Sequence, residues 1–141
     1  MALSKEEREQ FLAEVRIGAL SVAEKPDRAP LTVPIWYQYT PGGDVWINTG
    51  AGSRKDKAIR AAGRFSLMVQ RDEPTLRYVT VEGPVTEVRD GSYAQSLEMA
   101  SRYLAPDAAK NFVEYEQANL GKHVVIVMRP EHWVSGDLGS L

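Results

Sequence analysis

Cysteine is absent from all 141 residues of the chain. Without a thiol there is no disulfide, no cysteine nucleophile and no zinc–thiolate cluster. Histidine is almost as scarce: the 2 present, His123 and His132, stand in unrelated contexts and offer no metal-ligand spacing. No Gly-x-Ser-x-Gly elbow, Walker loop or Gly-x-Gly-x-x-Gly fingerprint occurs, so a hydrolase triad or a nucleotide P-loop has no visible foundation. Long apolar runs are missing as well. Residues 1–7 are charged and lack the apolar centre of a signal peptide, which makes the cytoplasm the expected location and a membrane partner unexpected. Nor does one sign of charge dominate. Lys and Arg number 17 against 19 Asp and Glu, a balance of −2 that argues against a general nucleic-acid binder.

The pattern that is present fits one domain over residues 1–141. Ser4 with Glu7 forms a capping-box signal, and Phe11, Leu12 and Val15 share a helical face, predicting a helix over 5–15. Strand character follows at 17–23. Residues 31–40 then alternate, with Leu31, Val33, Ile35, Tyr37 and Tyr39 on one face. This predicts a long strand with one interruption at Pro34, which cannot donate to a ladder: the strand is at an edge there, or bulged, or its neighbour turns away to leave a gap. Pro41-Gly42-Gly43-Asp44 makes a hairpin connection into a strand at 45–49. Further strands are predicted at 65–70, at 77–88 with a bulge or corner at Gly83-Pro84, and at 123–128. Helices are expected at 54–62, from Ser92 to Pro106, and at 107–120; the segment beyond Pro130 has no clear period. Six strands in mostly hairpin order, with helices inserted, predict a mainly β fold: a small antiparallel barrel.

The stretch with the most chemistry is 45–63. Ser53 reads as an N-cap with Asp56 completing a capping-box pattern, and Gly63 stands where a C-terminal glycine cap belongs. Arg54, Lys55 and Lys57 crowd the first turn, where free N–H groups and the macrodipole already present positive charge. That placement is unfavourable for a plain surface helix and favourable for one that seats a phosphate. Trp36 and Tyr37 lie on the strand expected to pair with the one bearing Asn48 and Thr49. A flat ring could therefore lie along these strands while its phosphate reaches 53–57. Against this, capping serines and helical lysines are common on surfaces, and each aromatic alone fits core packing or a dimer interface.

The order of these features resembles the pyridoxamine 5'-phosphate oxidase-like family, flavin and deazaflavin oxidoreductases built on a six-stranded split β-barrel of FMN-binding type. The likeness spans 16–128. It rests on Asn48-Thr49 followed by Ser53-Arg54-Lys55, on Arg77-Tyr78-Val79-Thr80-Val81-Glu82-Gly83, on Arg16-Ile17-Gly18-Ala19-Leu20 and on Pro34-Ile35-Trp36-Tyr37. The resemblance implies that Ser53, Arg54, Lys55 and Lys57 hold the phosphate of FMN or of the deazaflavin F420. Pro34, Ile35, Trp36, Tyr37, Ile47, Asn48 and Thr49 would line the ring. It also implies a homodimer with a site at each interface, completed by partner residues around Trp133, and redox chemistry supplied by the ring. Tyr78 and Thr80 replace the Gln and Arg of the oxidase pattern, and no arginine-rich segment follows Asp137. The expectation is thus a reductase of a small organic substrate rather than a vitamin B6 oxidase. The competing readings are a carrier that binds flavin, F420 or haem without turnover, and a structural barrel that dimerises through Trp36, Trp46 and Trp133.

Overall fold

A computed structural model describes residues 2–140. Helix α1 (Lys5–Ala13) precedes β1 (Gly18–Val22), β2 (Leu31–Ile35), β3 (Tyr37–Tyr39) and β4 (Val45–Gly50). After α2 (Arg54–Ala62) come β5 (Arg64–Arg71) and the long β6 (Arg77–Asp90), then the helical hairpin α3 (Tyr93–Tyr103) and α4 (Pro106–Asn119). Strands β7 (His123–Met128) and β8 (His132–Asp137) and a short 3-10 turn complete the chain. Both N-terminal caps read from the sequence form. Ser4 and Glu7 exchange the two bonds of a capping box, and the Ser53 hydroxyl accepts from the Asp56 amide. Gly63 closes α2 at φ 73°, in the left-handed region where glycine carries no Cβ penalty.

Every strand pairing is antiparallel, and neighbours run in the order β2-β1-β5-β6-β7-β4-β3. The two ends of that path, β2 and β3, are separated in sequence by Trp36 alone. The sheet therefore curls until its ends meet. Taking β2 and β3 as one bent strand, six strands make the split barrel. The seams meet on β6, whose first half pairs with β5 and β8 and whose second half pairs with β7, with a register slip between Val85 and Glu87. Gly83 sits just before that slip. A Cβ there would lie 1.8 Å from the Arg129 carbonyl oxygen, so the crossing chain fits only over glycine.

Inside, the alternation read from the sequence becomes the core: Leu20, Ile35, Tyr37, Val45, Ile47, Phe65, Leu67, Val69, Val79, Val81 and Ile126 are all buried, joined by Phe11 and Leu12 of α1 and Ile59 of α2. Three expectations need correction. The break in the 31–40 strand falls at Trp36, not at Pro34, which keeps its register opposite Ala19. Of the three readings of Pro34 the edge position holds, since β2 is an edge strand. At Trp36 the ladder is replaced by a side chain: the Tyr103 hydroxyl accepts from the Tyr37 amide at 3.1 Å and donates to the Arg16 carbonyl at 2.8 Å. The box at α2 is not reciprocal either, since the Asp56 carboxylate accepts from the Gly52 amide at 2.8 Å and from Arg60 Nε at 2.7 Å instead of turning back to Ser53. Finally, the tail without a period contains β8, which pairs with β6 from Glu82↔His132 to Arg77↔Asp137.

Candidate functional site

The bend at Trp36 opens the barrel wall toward the α3–α4 hairpin, and the gap is lined with aromatics. The Trp36 indole stacks on Tyr103 with centroids 4.9 Å apart and planes 9° from parallel, and Phe112 leans against it at 5.2 Å. Such a pair contributes about 1 kcal/mol beyond the area it buries. Next to the stack is a cavity of about 350 Å³, within the size range of small-molecule pockets. Its barrel side is Ile17, Pro34, Ile35, Trp36 and Asn48; its helical side is Ser96, Met99, Ala100, Phe112 and Glu116.

Polar groups in this largely apolar wall are few and specific. Asn48 Nδ2 donates to Ser96 Oγ at 3.1 Å. The other end of that amide, Oδ1, is buried and meets no hydrogen-bond partner among the described residues. A buried acceptor without a partner costs about 1–3 kcal/mol; elsewhere in the fold the donors Arg8 Nε and Arg102 Nε are likewise buried without a partner among the described residues. Glu116 is the one carboxylate of the wall. It is 9 % exposed and its Oε2 lies 3.2 Å from His123 Nε2. Burial pushes its carboxyl above the ordinary 4.5, and the imidazole pulls it partway back. His123 opens onto a second, more polar cavity with Asp90, Gln117 and Lys122, and Ser96 borders both.

The residues expected at the site divide into three groups. Pro34, Ile35, Trp36 and Asn48 meet at the one cavity. Tyr37 and Ile47 do not reach it, because the strand period turns both side chains into the core, where they are fully buried. Tyr37 spends its hydroxyl on the Leu12 carbonyl at 2.6 Å, and burial raises its phenol to about 12. Thr49 is also turned inward, its hydroxyl 3.5 Å from that of Ser53.

The remaining group sits around the start of α2. Arg54 is held in a two-pronged pair with Glu24, both contacts 2.6 Å, and with Lys57 it borders a shallow depression over Ala58 and Ala61. Lys55 and Lys57 have no carboxylate partner among the described residues. Two free ammonium groups beside a capped helix start suit an anion, whereas Arg54 is already engaged. The stacked aromatics and the Asn48 amide suit a flat ring, and the unpaired lysines, which border no part of that cavity, suit a phosphate. Sequence reasoning missed Ser96, Met99, Phe112 and Glu116. They come from a hairpin whose docking against the Trp36 bend no local pattern announces. Among the described residues no three His, Asp or Glu side chains converge as a metal site, and no helix is long and apolar enough to cross a membrane.

Residues 4–135 match the sequence profile of pyridoxamine 5'-phosphate oxidase, and the chain belongs to that family. A conserved hypothetical protein of Mycobacterium tuberculosis is 27% identical in sequence, with a TM-score of 0.74 over 96% of this chain and 85% of its own. An F420 reductase shares the fold at 23% identity and a TM-score of 0.70, over 89% of this chain and 94% of its own. So does an FAD-binding protein of Mesorhizobium loti, at 20% identity and a TM-score of 0.61, over 96% and 93%. No curated protein matches the sequence.

Proposed function

We infer that the chain is an oxidoreductase that uses FMN or F420 to pass hydride or electrons to a small organic substrate. The observation that carries this reading is the Asn48 amide beside the stacked aromatics of the Trp36 cavity, its buried Oδ1 without a partner among the described residues, on the strand that leads into Ser53–Lys57. A ring N–H is the donor that acceptor lacks, and flavin and deazaflavin rings carry one. The names of related structures, F420 reductase and FAD-binding protein, favour the same class. When bound, such a ring supplies the redox chemistry. Trp36 and Phe112 give it an apolar face, Asn48 orients its polar edge, and Lys55 and Lys57 take the phosphate.

Cavity and lysines do not share a wall within one chain, so we propose a homodimer in which a second copy completes each site, in a cytoplasmic protein. Ile17 at 58% exposure and Phe112 at 36% give the cavity rim an apolar edge for that contact. Trp133 packs edge-on against Tyr39 of its own barrel and is partly buried there.

Fluorescence titration with FMN and with F420, followed by turnover with NADPH or reduced F420 against a dye and quinone panel, tests the reading. Binding with turnover supports it. Binding without turnover makes the protein a carrier, and failure of both cofactors to bind sinks the proposal.

A further inference from the structure

We propose that Glu116 and His123 form a proton relay from the polar cavity at the barrel end to the Trp36 cavity, where Glu116 protonates the substrate during its reduction. The proposal rests on the oxidoreductase reading above. Glu116 borders the inner cavity, His123 borders the outer one, and their side chains meet at 3.2 Å across the seam between α4 and β7. The pair thus joins the two spaces through two titratable groups, beside Ser96, which borders both.

The surroundings leave few rivals. From α3 the polar residue lining the Trp36 cavity is Ser96, which does not titrate in this range, and from β4 it is Asn48. Asp90 at the end of β6 and Lys122 before β7 border only the outer cavity. Among the described residues His123 is the charged group that acts on the Glu116 carboxyl, opposing the effect of burial.

The step balances with a reduced flavin or deazaflavin as the reductant. A polarised double bond in the substrate accepts a hydride at its electrophilic atom. The Glu116 O–H bond breaks, and its proton goes to the atom that received the electron pair. The substrate is reduced, the ring is oxidised, and the carboxylate regains a proton through His123 from water in the outer cavity. Burial raises the proton affinity of the Glu116 carboxyl, which is the direction a general acid requires.

Glu116→Gln and His123→Gln test this, because glutamine keeps a hydrogen bond across the seam and so spares a merely structural tie. The first readout needs no cofactor. Carboxyl and imidazole titrations followed by NMR should place Glu116 above the ordinary carboxylate range in the wild type, and higher still in His123→Gln. The second is the pH profile of turnover. Glu116→Gln should retain cofactor affinity, lose about tenfold or more in rate, as general acids contribute at least that, and lose the limb at high pH that marks deprotonation of the acid. An ordinary carboxylate value insensitive to His123, or an unchanged profile in Glu116→Gln with a wild type that turns over, overturns the relay alone. A wild type that binds neither FMN nor F420 overturns the oxidoreductase reading, and the catalytic role of the pair falls with it.

Discussion

The barrel interior and the seam under the α3–α4 hairpin are both buried, yet they are built differently. The interior is a continuous apolar cluster in which the polar tip of Tyr37 is satisfied by the Leu12 carbonyl. The seam has a small apolar patch, Ala100, Ala109 and Val113, beside Trp36, and around it lie Asn48, Ser96 and Glu116 with one acceptor left open. A core whose Tyr37 hydroxyl is paired favours stability, whereas a wall with an unpartnered acceptor and a shifted carboxyl is the pattern expected of a binding site. The difference separates scaffold from site more sharply than any single residue does.

Truncating the interior should break the scaffold first. Ile47→Ala removes a fully buried side chain at the centre of β4 and should cost about 3 kcal/mol in denaturant unfolding. If the seam is the site, Trp36→Ala should behave differently. Loss of its two aromatic partners costs on the order of 2 kcal/mol of stability, and affinity for FMN or F420, measured by fluorescence titration, should fall about tenfold or more. A variant that loses stability and keeps affinity would reduce the aromatic stack to core packing. Ser53→Ala sharpens the comparison at the other end of β4. Losing the cap bond to the Asp56 amide should cost about 1 kcal/mol by thermal melting.

The smallest effect is a pH dependence of opposite sign at Asp137 on β8 and at Glu116 in the seam. Asp137, bonded by Arg77, by the Gly139 amide and by Thr75, is held below its usual 3.8. Its contribution is present above that value and lost as pH falls through the lowered one. Glu116 is raised, so its folded form prefers the proton. Its contribution is complete below 4.5 and is lost as pH rises through the folded value. Denaturant midpoints measured across pH should therefore show a shallow decline above 4.5 in the wild type that Glu116→Gln abolishes.

Most of the scaffold was legible because strands write their burial with period two. Leu31 to Tyr39 alternated as the barrel demands, and Ser4, Ser53 and Gly63 marked helix ends where they stand. The misses share one cause. The bend at Trp36 depends on Tyr103, 66 residues after Tyr37, supplying the hydroxyl that replaces a ladder bond. Strand β8 carries Gly136 and Asp137 where an apolar period would show, and its pairing partner β6 lies far back in the chain. The Glu116–His123 contact joins a helix to a strand across a turn, so neither residue looked unusual in its own segment. At the site, Pro34, Ile35, Trp36 and Asn48 could be read because they belong to strands, whereas the opposing wall comes from the hairpin. Arg54 was legible as a cation, but its engagement by Glu24 is a tertiary fact.

The most direct test of the central claim is backbone hydrogen exchange, read by mass spectrometry, with and without saturating FMN or F420. The account predicts added protection at 34–37, at 48–55 and in α3 and α4, with the interior strands β5 and β7 unchanged. Protection confined to other surfaces, or none at a concentration where titration shows binding, would contradict the placement of the site at the Trp36 seam.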